Sequence, residues 1–205
     1  MELLDLRKRY ANLYKPGAKV PALVDVPTLR FLMIDGVGDV GGTAFQESMG
    51  ALFALAYPVK FAAKKAVGIS YPVMPPEGVY WSADGGFDLS ETPSESMAWR
   101  LMIMLPDPVG DDVVEATRAK VAAKKNPPRL SDVRIQSFTE GPSVQIMHIG
   151  PYAEETATIE RLAAFAAEKG YEFSGAHHEI YYGDPKRVAP EKLKTVVRYP
   201  VRRLK

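Results

Sequence analysis

Residues 29–36 read LRFLMIDG and residues 143–150 read SVQIMHIG, and the likeness of these two stretches decides the fold. Each is an apolar run closed by a glycine, the pattern of a buried strand. The first leads into GVGDVGG (36–42) and then AFQESMGALFALAYPVKFAAKK (44–65). There Phe45, Met49, Leu52, Phe53 and Ala56 recur at spacings of three and four, which predicts an amphipathic helix. Pro58 is expected to kink or interrupt it, because proline removes one backbone donor and crowds the preceding turn. A turn, YPVMPPEG (71–78), leads to VYWS (79–82), and WRLMIMLP (99–106) reads as a second buried strand.

The second stretch opens the same plan again. ATIERLAAFAAEKG (157–170) reads as a helix with Ile159, Leu162, Ala163 and Ala166 on one face and Gly170 as its stop. HHEIYY (177–182) stands where EGVYWS (77–82) stood, and LKTVVRYP (193–200) closes this half as WRLMIMLP closed the first. Between the halves, DDVVEATRAKVAAKK (111–125) begins with acids and ends with lysines, the charge order of a connecting helix. The expectation is an α+β fold of two strand-helix-strand-strand units, at about 21–110 and 130–205, paired around a pseudo-two-fold axis with a ligand cleft between them. Residues 1–20, with Leu3, Leu4 and Leu6 ahead of Lys15-Pro16-Gly17, form a short helical extension with a packing role.

Composition narrows the function classes. A chain of 205 residues that is 46% hydrophobic fills a proper core. Lys and Arg number 26 against 25 acids, and this balance argues against nucleic acid or a membrane surface as partner. The absence of cysteine excludes disulfides, thiolate nucleophiles and cysteine-ligated zinc. The start, MELLDLRKRYANLYKP, mixes charges into its apolar residues and reads as neither signal peptide nor membrane span, so the expected location is cytoplasmic. No G-x-S-x-G phrase supports serine hydrolysis, and GVGDVGG lacks the pattern of a phosphate-binding loop.

The candidate site centres on HHEIYY. Alternation along a strand turns His177, Glu179 and Tyr181 one way and His178, Ile180 and Tyr182 the other. Superposing the repeats sets Tyr80 and Trp81 near Tyr181 and Tyr182, and Glu179 against Gly78, so the acid has no symmetry mate. An internal carboxylate without a fixed basic partner is expected to have a raised pKa. Tyr71, Trp99 and Tyr152 are placed near the same cleft, and His148 and His177 among the ligand contacts. No metal and no cofactor is expected, since adjacent His177 and His178 face opposite sides and His148 belongs to another strand.

Several phrases, taken in order, resemble the GyrI-like family of small-molecule-binding domains. They are FLMIDGVGD (31–39), AYPVKFAAKK (56–65), MPPEGVYW (74–81), WRLMIMLPDPV (99–109), MHIGPYAEETATIERLAAFAAEKGY (147–171) and HEIYYGDPKRVAPEKLKTVVRYPV (178–201). The resemblance runs from about Pro21 to Val201 and implies a duplicated SHS2-type module with a pocket between its halves. In regulators of the MerR and AraC types such a domain senses lipophilic or cationic drugs with a buried glutamate amid aromatic rings. This chain has no segment long enough for a helix-turn-helix domain, so a regulator role would need a separate partner. Some stand-alone members are metal-independent cyclopropanoid hydrolases that detoxify DNA-alkylating natural products by adding water to a strained ring, and the chain resembles that kind. On this reading Glu179 orients or deprotonates the water and Tyr181 or Tyr152 hydrogen-bonds the oxygen that gains charge, while Trp81, Trp99 and Tyr71 stack on the substrate. Non-catalytic multidrug binding is the alternative. A gyrase interaction, suggested by the family's name, is the third reading.

Overall fold

The computed structural model describes residues 2–205. In chain order its elements are β1 (Glu2–Leu3), α1 (Leu6–Arg9), α2 (Ala11–Tyr14), β2 (Ala22–Val26), β3 (Leu29–Val37), α3 (Thr43–Ala66), β4 (Ile69–Ser70), β5 (Glu77–Ser82), β6 (Met97–Met104), α4 (Asp111–Lys124), β7 (Arg134–Phe138), β8 (Gly141–Ile149), α5 (Glu155–Glu168), β9 (Tyr171–Phe173), β10 (His177–Tyr182) and β11 (Lys194–Arg203). Nine strands form one antiparallel sheet in the order β2-β8-β11-β10-β5-β6-β3-β7, with β9 added against β11. The first half contributes β5-β6-β3 and the second β10-β11-β8, so the order is the same read outward from the β10–β5 seam. The flanking strands are exchanged. β2 precedes β3 in the chain yet pairs with β8, while β7 precedes β8 yet pairs with β3.

One face of the sheet carries α3 and α5. Leu52, Leu55 and Val59 of α3 are fully buried against Leu32, Ile34, Leu101 and Ile103, and Leu162 and Ala166 of α5 pack on Val144, Ile146 and Val197. Each such large side chain contributes roughly 1.5–3 kcal/mol by leaving water. This burial explains why α3 runs unbroken through Pro58, where the sequence predicts a kink or a break: Ala51 to Ala56 before the proline and Val59 and Ala63 after it are held on one surface. α5 ends just before Gly170, whose φ of +78° is the left-handed conformation that stops a helix.

The other face is covered at its centre by α1 and α2. Leu6, Leu13 and Tyr14 bury themselves against Met33, Met102, Met104 and Ile180. A buried polar network fastens this strap. Tyr14 donates its hydroxyl to Glu77, the Arg198 guanidinium reaches the Leu13 carbonyl at 2.9 Å and the Gln145 amide reaches the Asn12 carbonyl at 2.6 Å. His178 lies between Glu77 and Glu140 at 3.0 Å from each, and Arg198 also binds Glu140 at 3.0 Å.

Candidate functional site

β10 lies at the seam of the two halves, so the side chains it turns toward α3 and α5 stand between those helices. Glu179 is opposite Gly78 on β5 and Val197 on β11, and Tyr181 is opposite Thr195. Gly78 is needed here for space. A Cβ on it would meet the Tyr80 hydroxyl at 2.4 Å, and that hydroxyl is hydrogen-bonded to the hydroxyl of Tyr181.

Glu155, the first residue of α5, brings a second carboxylate to the same place. It is buried, and its carboxylate, the His177 imidazole and the Glu179 carboxylate present ligand atoms within 4.8 Å of one another. His177 Nε2 and Glu179 Oε1 are 2.5 Å apart. Three buried polar atoms of this neighbourhood have no partner among the described residues: Glu155 Oε1, His177 Nδ1 and Thr195 Oγ1. Burial of such atoms is costly unless something meets them, and a substrate, a water or an ion would.

The two carboxyls hold their protons differently. Burial, and then the charge of Glu179, push Glu155 up to about 9, so it is neutral at pH 7. Burial also raises Glu179, but His177 and the hydrogen-bonding groups of Tyr181 and Glu155 outweigh it and bring the carboxyl below its ordinary value. This corrects the raised pKa expected of Glu179. The expectation assumed no basic partner, whereas residues two apart on a strand share a face, and that supplies His177. Because Glu179 is ionised it accepts, so His177 Nε2 is the donor. Burial and Glu179 raise Tyr80 and Tyr181 well above 10.0, and the same two causes lift Tyr152 to about 12. All three stay neutral donors at pH 7.

The remaining predicted residues divide. Tyr152, 38% exposed, has its ring edge-on to Tyr181 at 5.9 Å. His148 is already committed: Nε2 donates to the Pro151 carbonyl at 3.2 Å, and Nδ1 accepts from the Thr158 hydroxyl at 2.8 Å. Trp99 is fully buried in the α3 core, over Gly36 and edge-on to Phe45, and Tyr71 lies in the same core. Trp81 points to the opposite face of the sheet, against Arg100. Sequence reasoning missed Glu155, although it falls on the helical face of Ile159, Leu162 and Ala166 at spacings of four, three and four. Two carboxylates and an imidazole also form a donor set suited to a divalent cation, a combination that the spacing of the histidines alone does not reveal.

The family model of the GyrI-like small molecule binding domain matches residues 20–202. The chain belongs to the GyrI-like family. Among solved structures, a conserved uncharacterized protein from Listeria innocua is 35% identical with a TM-score of 0.88, the alignment covering 97% of this chain and 100% of that one. Two structures of a hydrolase from Listeria innocua are similar at 33% identity (TM-score 0.87, 98% of this chain and 100% of that one) and 32% identity (0.85, 97% and 100%). A comparison with curated proteins found no match. A GyrI-like domain is a small-molecule-binding domain, so a small-molecule ligand is the partner its membership establishes. Among the described residues no helix is long and apolar enough to cross a membrane.

Proposed function

We propose that this GyrI-like chain binds flat lipophilic compounds at the β10–β5 seam and hydrolyses activated cyclopropanes there. The observation that carries the reading is the pair of neighbouring carboxyls in opposite protonation states, Glu179 ionised and Glu155 protonated, beside His177. The similarity to Listeria hydrolases over nearly the whole chain supports it.

In a cyclopropane fused to a cyclohexadienone, one ring carbon is electrophilic because its bonding electrons can flow to the carbonyl oxygen. Glu179 takes a proton from water as the water oxygen bonds to that carbon. The cyclopropane C–C bond breaks, its electron pair aromatises the dienone, and the former carbonyl oxygen takes a proton from Glu155. The Tyr152 hydroxyl is a second donor to that oxygen. The product is a phenol bearing one new alcohol, the sum of substrate and one water. Glu179 then holds the proton that Glu155 has lost, and its return across the shared site resets the pair. Glu179 is only 14% exposed, so a substrate reaches it past the partly exposed ring of Tyr152.

The second reading, binding of lipophilic cations without chemistry, is favoured by the same ionised Glu179 among the rings of Tyr80, Tyr181 and Tyr152. Incubation with a spirocyclopropyl cyclohexadienone separates the two. The hydrolase reading expects many equivalents of ring-opened alcohol per protein, a loss of about 100-fold or more in kcat for Glu179→Gln, and a Kd changed by less than about threefold. Tight binding with intact compound recovered would leave only the binder.

A further inference from the structure

Trp81 lies in a hollow of about 500 Å³ on the face of the sheet that Glu179 does not reach. Its floor is Val79, Trp81 and Ala176, and its walls are Phe87 of the loop after β5 and Phe138 at the end of β7. The size is that of a small-molecule site, within the usual range of about 300–1,000 Å³. Phe87 is half exposed, whereas the other aromatic side chains of this face are tucked under the strap or against strands.

The cationic group of the lining is Arg100. Arg100 lies 5.8 Å over the Trp81 ring, and Nε and Nη2 bind the two oxygens of Asp35 at 2.8 and 3.1 Å. That leaves Nη1, on the opposite edge of the guanidinium, donating to no protein group among the described residues. Glu140, the acid of the lining, is spent on His178 and Arg198. Asp84 and Asp88, which flank the lining residues Gly85 and Phe87, are turned onto their own loop: Asp84 accepts from the Gly86 N–H at 2.9 Å and Asp88 from the Ser90 N–H at 3.0 Å.

We infer that this hollow is a second ligand site, separate from Glu179, that takes a planar aromatic acid: rings between Phe87 and Phe138 over Trp81, and the anionic group on the open edge of Arg100. Aromatic walls alone would accept any flat molecule. The unspent guanidinium donor selects an anion, opposite in charge to the ligands that Glu179 favours.

Titration calorimetry with 2-naphthoate and its neutral isostere 2-naphthamide tests the assignment. The acid is expected to bind at least about tenfold more tightly than the amide, the worth of one charge-assisted hydrogen bond. Arg100→Gln combined with Asp35→Asn, which leaves no orphaned carboxylate, erases that preference. Phe87→Ala, on an exposed loop where folding is not at stake, weakens both ligands about tenfold. Equal affinity of acid and amide, absence of saturable binding, or indifference of naphthoate affinity to Phe87→Ala would each overturn the site.

Discussion

Glu179 keeps its charge inside the protein because His177 donates to it, and Glu155 gives up its charge because it is buried and the charge of Glu179 lies beside it. This division sets the pH dependence of any chemistry at the site. In the proposed hydrolysis Glu155 acts in its protonated form, so kcat/KM should fall as pH rises through about 9, a limb readable from initial rates between pH 6 and 10. Glu155→Gln should lower kcat by about 100-fold, with the affinity for a neutral ligand nearly unchanged. The inward direction of Glu179 was legible from strand alternation in HHEIYY. Its protonation was misread because His177, which the same alternation turns to the same side, was not counted as its partner, and Glu155 sits in a helical turn whose acids look alike until one of them is buried.

At the level of single elements, two glycines shape the surroundings of the site. Gly36 on β3 makes room for Trp99 on β6: a Cβ there would meet the indole at 2.1 Å. Gly36→Ala should cost about 1–3 kcal/mol, seen as a lower urea midpoint with an unchanged slope. Gly78→Ala has a local outcome instead. It displaces the Tyr80 hydroxyl from Tyr181 and should weaken ligand binding at the seam by calorimetry while the fold survives. The strands around these glycines were legible as apolar runs, α3 and α5 by a period of 3.6 in their apolar residues, and α4 by acids at its start and lysines at its end. The fate of Pro58 was not, since a local penalty was outweighed by burial on both sides of it. Nor was the exchange of β2 and β7 between the halves, because short strands choose partners far away in the chain. Trp81 and Trp99 read alike as candidate ligand rings, and only the pairing of β5 with β6 shows that one faces away and the other is core.

For the molecule as a whole, the network behind β10 fixes both the strap and the acid–base stability. Burial alone would lower His178, but Glu140 and Glu77 raise it from 6.5 to about 9, so its contribution is complete below pH 6.5 and lost as pH rises through 9. That gap corresponds to roughly 3 kcal/mol. Glu155, raised from 4.5 to about 9, adds a fall in the same direction. Burial opposes ionisation of Glu140, yet His178 and Arg198 bring it down from 4.5 to about 2, so its share is present above pH 4.5 and lost toward 2. Urea midpoints should therefore peak near pH 5 and decline on both sides, with Glu155→Gln flattening only the alkaline decline. Tyr14→Phe, which takes the strap's hydroxyl from buried Glu77, should cost about 1–3 kcal/mol at every pH below 9. The most direct measurement of the split carboxyl pair is carbon-13 NMR of protein labelled at the glutamate carboxyl carbons, taken from pH 3 to 10. One resonance should titrate near 9 and vanish in Glu155→Gln, while the resonance missing from Glu179→Gln should titrate below 4.5. A spectrum in which every carboxyl titrates below about pH 5, or in which the alkaline transition survives Glu155→Gln, would contradict the assignment.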